Sequence, residues 1–307
     1  MSLRHRDAVQ LRWLAAFLVT GSLCVVQIVH AQNRGVYPLG MTALNPGMLP
    51  DAGVTYSNQF LVYARDRAKD NDGNTEPVGG AHSVRMDMNT FTWVSDWSLA
   101  GMRYAAAATL PFAWNSLTSD VNGPINKGNG FADSYYLPLI LGRTGERGGV
   151  RVQYGFLAPT GKFAAEGTDN VGSGYWTHAA SAGETLRLTD SRRLTLSAFE
   201  LYELHTAQRE THIRPGDTFN LDASLMWQVH RGESARVEIG PVGYLQRQTT
   251  ARSESSGDRY AVNALGVALN GAFPGHRASL GLKYFNEFAN RSTYEGYSLQ
   301  LVGAITM

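Results

Sequence analysis

The sequence predicts an all-β chain, a transmembrane antiparallel up-and-down β-barrel of about 12 strands, and three observations carry that prediction. First, from Phe219 to Val229 the residues alternate. Phe219, Leu221, Ala223, Leu225, Trp227 and Val229 fall on one face, Asn220, Asp222, Ser224 and Gln228 on the other, and only Met226 breaks the pattern. Strand side chains swap faces with a period of two, so one face belongs in an apolar medium and the other in a hydrogen-bonding one. Second, long and short connections alternate down the chain, the rhythm of a barrel with short turns on one side of a membrane and longer loops on the other. Third, the chain opens with an export signal and contains no other long apolar run, so no transmembrane helix is available.

Residues 1–31 have the three parts of a secretory signal: basic Arg4, Arg6 and Arg12, an apolar stretch from Trp13 to Val29, and a Val29-His30-Ala31 cleavage pattern. The mature chain is expected to start near Gln32. Residues 32–52 hold Pro38, Pro46 and Pro50 among apolar Val36, Leu39, Met41, Leu44, Met48 and Leu49, and cannot be a strand. They form either a small plug or latch folded into the barrel, or a mobile periplasmic tail. Residues 53–307 are the barrel, with strands expected at 53–65, 81–95, 97–111, 131–142, 149–158, 173–188, 191–206, 217–230, 234–250, 258–271, 276–289 and 294–307. Long polar connections are expected from Asp66 to Gly80, Phe112 to Gly130, Pro159 to Gly172, Ala207 to Gly216 and Ala251 to Gly257. Tight turns are expected at Asp96, Arg143 to Gly148, Thr189-Asp190, Arg231-Gly232-Glu233 and Phe273 to His276.

Several strands repeat the opening alternation. Val150, Val152, Tyr154 and Phe156 oppose Arg151, Gln153 and Gly155; Leu280, Leu282 and Tyr284 oppose Ser279, Gly281 and Lys283. A soluble core would not tolerate the charged faces, and no amphipathic helix or second sheet is present to cover the apolar ones if the charged faces met bulk water. Lipid outside and a polar lumen inside satisfy both. In 191–206, Phe199 and Leu201 fall out of phase with Leu194 and Leu196, which calls for a bulge or a mixed interior. Trp93, Trp97, Tyr135, Tyr136, Tyr175, Trp176, Trp227 and Tyr297 lie near predicted strand ends, where membrane interfaces favour amphipathic rings. The last strand alternates to the terminus, as a closing strand would, although Met307 stands where many such barrels end in phenylalanine.

Composition narrows the function classes. The only cysteine, Cys24, lies in the signal, so a disulfide framework, a thiol nucleophile and thiolate metal sites are excluded from the mature chain. Removing 1–31 takes away three basic residues and one acidic, turning the net charge of +1 into −1, and nothing in that balance points to nucleic acid. Neither a cofactor nor a metal is expected. Asp70-Asn71-Asp72-Gly73-Asn74 starts like a calcium loop, but Thr75 stands where the glycine should be and Ala81 where the final glutamate should be.

A set of short motifs now adds up: Asn45-Pro46-Gly47; Phe131-Ala132-Asp133 leading to Leu137-Pro138; Gly155 and Pro159-Thr160-Gly161; Asn170-Val171-Gly172 with Tyr175-Trp176; Pro215-Gly216-Asp217; and Gly240 followed by Tyr244 and Gln246. In order and spacing the chain resembles the outer-membrane barrel family named for the meta-pathway of phenol degradation, over essentially all its mature length. The resemblance implies a bacterial outer-membrane, transporter-like protein often found beside genes for aromatic catabolism. It supplies no catalytic or ligand-binding residues.

Function is therefore sought on the inward-facing residues, expected to be Arg85, Asp87, Arg151, Gln153, Asn220, Asp222, Arg236, Glu238, Lys283 and Glu287. Both signs occur in similar numbers, which argues against a pore lined by one charge. These residues either pair and fill the lumen or leave a path through it. The expected function is a channel or transporter for small molecules, hydrophobic or aromatic ones through the resemblance, with outer-membrane lipid, a small-molecule substrate and the barrel assembly machinery as partners. A structural or adhesive barrel binding through its outer loops, above all 112–130, is the alternative. A barrel hydrolase using His178, His205 or His212 near the outer rim ranks third, since no spacing sets these histidines apart.

Overall fold

A computed structural model describes residues 35–77, 79–253 and 258–307; the expected signal over 1–31, with Cys24, lies outside the described residues. In chain order the strands are β1 (Gly53–Lys69), β2 (Gly80–Leu99), β3 (Met102–Ser119), β4 (Gly123–Asn126), β5 (Asn129–Phe131), β6 (Ser134–Gly145), β7 (Gly148–Ala158), β8 (Thr177–Arg187), β9 (Leu194–His205), β10 (Thr218–Arg231), β11 (Arg236–Gln248), β12 (Ala261–Phe273), β13 (Ala278–Glu287) and β14 (Thr293–Thr306). Each barrel strand pairs antiparallel with its neighbours. The sheet closes where β1 meets β14, from Thr55↔Thr306 to Lys69↔Thr293. Twelve strands make the wall, and the short β4 and β5 pair only with β3. Closure removes the unpaired edges that a lipid environment forbids.

Short connections at Ala100-Gly101, Glu146-Arg147 and the 3-10 turn Pro274–His276 share a rim with the start of β1 and the end of β14. By the architecture of such barrels that rim is periplasmic. The segments 159–176 and 206–217 lie at the opposite, outer rim.

Face assignment follows from pairing and exposure. Phe60, Val152, Leu225, Ile239, Val267, Leu282 and Leu301 are exposed and form the outer apolar band. Trp93, Trp97 and Trp227 lie toward its periplasmic side, Trp114, Trp176 and Tyr297 toward its outer side. Two places interrupt the band: Asn58, Asp87 and Asn89 on β1 and β2, and Glu184 with Glu200 on β8 and β9.

Several sequence expectations are corrected. The turn expected at Asp96 falls instead at Ala100-Gly101, because the β2–β3 ladder resumes at Ser98↔Arg103 after a register shift beyond Val94. Ala100 (φ 51°) and Gly101 (φ 77°) give the paired left-handed geometry that a two-residue hairpin turn needs. Trp97 therefore belongs to β2, where it stacks on Tyr104 at 5.1 Å. The expected loop 112–130 is largely strand, since β3 continues to Ser119 and folds back through β4 and β5. Tyr135 and Tyr175 leave the aromatic girdle: Tyr175 is buried, and Tyr135 packs inward against Phe199 and Leu201. No bulge accompanies the out-of-phase Phe199 and Leu201. Both ladders of β9 keep continuous register, so these two residues simply face the interior.

Candidate functional site: the inner wall and residues 35–49

The inner face of β10 carries Asn220, Asp222, Ser224, Met226 and Gln228, all buried. What buries them is the chain itself. Asp222 accepts hydrogen bonds on Oδ1 from the Gly40 amide at 2.9 Å, and on Oδ2 from the Tyr37 hydroxyl at 2.5 Å and the Thr42 amide at 3.1 Å. Lys283, inward on β13, donates to the carbonyls of Gly40 and Met41, both at 2.7 Å. One turn of residues 37–42 is thus gripped by a carboxylate on its amides and an ammonium on its carbonyls. Charged groups at a buried site are tolerated when hydrogen bonds satisfy them, and charge-assisted bonds are the strong ones.

Other inward side chains extend the grip. Glu203 accepts from the Tyr37 amide at 2.9 Å, Gln300 donates to the Leu39 carbonyl at 2.8 Å, and Ser224 donates to the Ala43 carbonyl at 2.6 Å. Toward the periplasmic rim the Gly47 amide meets Thr185 Oγ1 at 3.1 Å, and the Leu49 amide meets Thr144 Oγ1 at 3.4 Å. At the other end the Gly35 amide donates to the Tyr260 hydroxyl at 2.6 Å. Residues 35–49 therefore contact inner-wall groups from the Tyr260 end of β12 to the β6–β7 turn.

Apolar contacts match the polar ones. Ala43, with Leu39 and Leu44 beside it, packs with Met226, Val242, Tyr244, Val262 and Phe285. This explains the break at Met226: an apolar side chain points inward because an apolar segment waits there. Leu49 packs against Val94, Ala105 and Ile140, and Tyr37 against Phe199 with ring centroids 5.7 Å apart. Gly40 sits at φ 77°, and a Cβ there would lie 2.6 Å from the Phe285 ring, so both conformation and space require glycine.

Eight of the ten sequence-predicted residues face inward. Asn220 donates to the Glu203 carboxylate at 3.0 Å and accepts from Gln246 at 2.6 Å. Glu287 accepts from the Tyr63 and Tyr244 hydroxyls at 2.5 and 3.0 Å and from Asn290 at 2.9 Å. Glu238 accepts from Asn270 at 3.1 Å, while Arg236 lies exposed at the start of β11. Arg151 and Gln153 face inward on β7 opposite Val150, Val152 and Tyr154. Near them Arg151 Nε, the Tyr135 hydroxyl and Ser181 Oγ are buried without a hydrogen-bond partner among the described residues.

The other two predicted residues are corrected. Arg85 and Asp87 lie on the outward face: Asp87 is paired with Phe60 and Phe112, Arg85 with Val62 and Trp114, and these neighbours belong to the lipid-facing band. The signal was present in the sequence, because both have the same odd parity as Phe91 and Trp93 on that strand. Residues missed in sequence were Glu203, Gln246, Ser224, Gln300 and Tyr37. Ser224 and Gln300 stood on faces already identified as polar, whereas Glu203 was hidden by the misleading phase of Phe199 and Leu201.

The remaining candidate groups do not converge. His178 is on the outer face, hydrogen-bonded to Tyr154 at 2.8 Å, while His205 faces inward, bonded to Thr177 at 2.8 Å. His212 sits in the 206–217 segment with φ 58°. Asp70 spends its carboxylate on the amides of Asp72 and Asn74 at 3.0 and 2.7 Å, closing its own turn.

The fold is shared with solved bacterial proteins. An outer membrane channel from Pseudomonas putida F1 superposes with a TM-score of 0.71 at 14% identity, covering 85% of this chain and 97% of that one. The β domain of the Bordetella autotransporter BrkA superposes with a TM-score of 0.53, also at 14% identity, covering 84% and 100%. No curated protein sequence matches the chain. The sequence profile described as "Putative MetA-pathway of phenol degradation" matches residues 65–301. With its closed wall of antiparallel strands and lipid-facing band, this chain is a bacterial outer-membrane β-barrel belonging to that family.

Proposed function

We propose that the protein is an outer-membrane channel for small hydrophobic or aromatic molecules, and that residues 35–49 are a plug closing its lumen. The observation that carries this reading is the double grip of Asp222 and Lys283 on residues 37–42. Hydrogen bonds from wall side chains to one peptide turn, which water can replace, are a reversible part of what holds the segment in the barrel. Passage needs the segment to shift within the barrel, and the wall carries unused polar groups beside it at Arg151, Tyr135 and Ser181. Aromatic contacts among Tyr37, Tyr135 and Phe199 suit flat apolar solutes. Small aromatic molecules are favoured further by the family's description. Catalysis is not part of the proposal, because the histidines are divided between the two faces of the wall.

Uptake of a radiolabelled aromatic compound by a strain lacking the gene tests the transport reading. Slower uptake, restored by the gene on a plasmid, is the expected result. Unchanged uptake over a range of external concentrations contradicts it.

A further inference from the structure

Among the inward charges beside residues 35–49, Asp222, Lys283 and Glu203 bond to the segment and Arg151 does not. Yet the segment lies against the neighbours of Arg151. The ladder sets Arg151 between Gly142 and Gly183, and a Cβ on those glycines would meet Leu49 Cδ1 at 2.5 Å and the Pro46 carbonyl oxygen at 2.6 Å. The hydroxyls of Tyr37 and Tyr135 lie within electrostatic reach of its guanidinium. Among the described residues no carboxylate is within ion-pair distance of that guanidinium, and it makes no hydrogen bond. The groups around it are equally unused. Gln153 pairs across the ladder with Ser181, one step along the inner face and within about 7–8 Å of Arg151, and neither side chain has a hydrogen-bond partner among the described residues. A Cβ on Gly155, the next inward residue of β7, would lie 2.7 Å from the Tyr135 hydroxyl, which sets that unpartnered hydroxyl over the same strand. Arg151, Gln153 and Tyr135 are half-buried where Asn220 and Asp222 are fully buried, so the lumen keeps space in front of them. A buried donor without an acceptor is costly, and here the acceptor has to come from outside the chain.

We propose that Arg151, Gln153, Ser181 and Tyr135 form a lumen site for an aromatic carboxylate, an anion of the benzoate kind, with its ring against Tyr37 and Tyr135. This names the substrate class of the channel proposed above and rests on that reading. The chemistry of the donors selects the ligand. A guanidinium presents a planar fork that meets a carboxylate in two parallel hydrogen bonds, and the two hydroxyls and the Gln153 amide add neutral donors beside it. Water can satisfy the donors but leaves the charge unmatched, as does a neutral phenol or hydrocarbon. The apolar side of the site is aromatic: half-buried Tyr37 and Tyr135 flank the buried Phe199, and offset ring contacts favour an aromatic acid over an aliphatic one. Glu203 and Asp222 on the neighbouring strands are engaged elsewhere, Glu203 by the Tyr37 amide and Asn220, Asp222 by the Tyr37 hydroxyl and the Gly40 amide. Tyr37, Pro46 and Leu49 all border the site, so an occupant touches the segment that has to move.

Equilibrium dialysis of radiolabelled benzoate against the folded full-length mature protein in detergent at neutral pH, with benzamide and acetate as competitors, tests the assignment. The expected result is one benzoate per chain, with benzamide and acetate each about tenfold weaker, the size of effect that a charge-assisted pair and a ring contact supply. Arg151→Gln should weaken benzoate about tenfold and bring it level with benzamide. Tyr135→Phe removes a hydroxyl that is unpaired in the empty site, so the barrel should keep its heat-modifiable migration on gels while benzoate binds several-fold more weakly. That variant carries the test even where Arg151→Gln does not fold. Equal affinity for benzoate and benzamide in the wild type, acetate bound as tightly as benzoate, or undiminished benzoate binding in either variant overturns the assignment. Binding is read without transport, so those results leave the channel reading standing. Benzoate binding as expected beside unchanged aromatic uptake in the deletion strain supports the site and overturns the channel.

Discussion

Asp222 gathers three donors from one turn of the chain, so replacing it with alanine leaves the Gly40 and Thr42 amides and the Tyr37 hydroxyl without their acceptor. Leaving buried donors unpaired costs about 1–3 kcal/mol each, set against whatever water re-enters. Hydrogen exchange at Gly40 and Thr42 should therefore accelerate by roughly two orders of magnitude in Asp222→Ala. Lys283→Ala should act in the same direction, and the double variant should show less than the sum of the two effects because both act on one turn. Full additivity, or unchanged exchange in either single variant, would show that the two charges do not hold the segment. Which inward residues matter was only partly legible in sequence. Asp222 and Lys283 declared themselves by alternating with Leu221 and Leu282, but their partner, Tyr37, lies in a stretch that has no strand periodicity at all. Arg85 and Asp87 face lipid, as their parity with Phe91 and Trp93 indicates, although their charge alone suggests the lumen.

Among the elements, those bounded by lipid on one side were the ones the sequence displayed most clearly. β7, β10, β11, β13 and β14 alternate almost without exception because lipid tolerates few polar groups on their outer faces. β9 was obscure for a specific reason: its inner face packs Phe199 and Leu201 against Tyr37 and Tyr135, while its outer face carries Glu200. Met226 was an unexplained break until Ala43 and Leu44 appeared beside it. The turn after β2 was missed because the strand crosses a register shift, which resets the phase that alternation relies on. The outer-rim strands β4 and β5 left no periodic trace, being four and three residues long. They pair only with the upper half of β3, whereas β3 meets β6 directly between Arg103 and Thr109. Replacing residues 120–128 with a short Gly-Ser turn should therefore leave a heat-modifiable barrel. Loss of that migration shift on gels would mean that the outer extension takes part in closure.

For the molecule as a whole, the division of labour is between the two faces of one wall. Its outer face fixes the location, through an apolar band and two aromatic girdles, and departs from that rule at Asn58, Asp87 and Asn89. The inner face is polar, and Glu203, Asp222, Ser224, Lys283 and Gln300 on it direct hydrogen bonds at residues 35–49. On the function proposed above, the barrel conducts poorly while the segment is seated and opens when it moves. Single-channel recording in planar bilayers, comparing the mature protein with a variant lacking residues 33–50, tests that account most directly. A conductance several-fold higher in the deletion variant is the predicted result, and the same conductance in both proteins would contradict it.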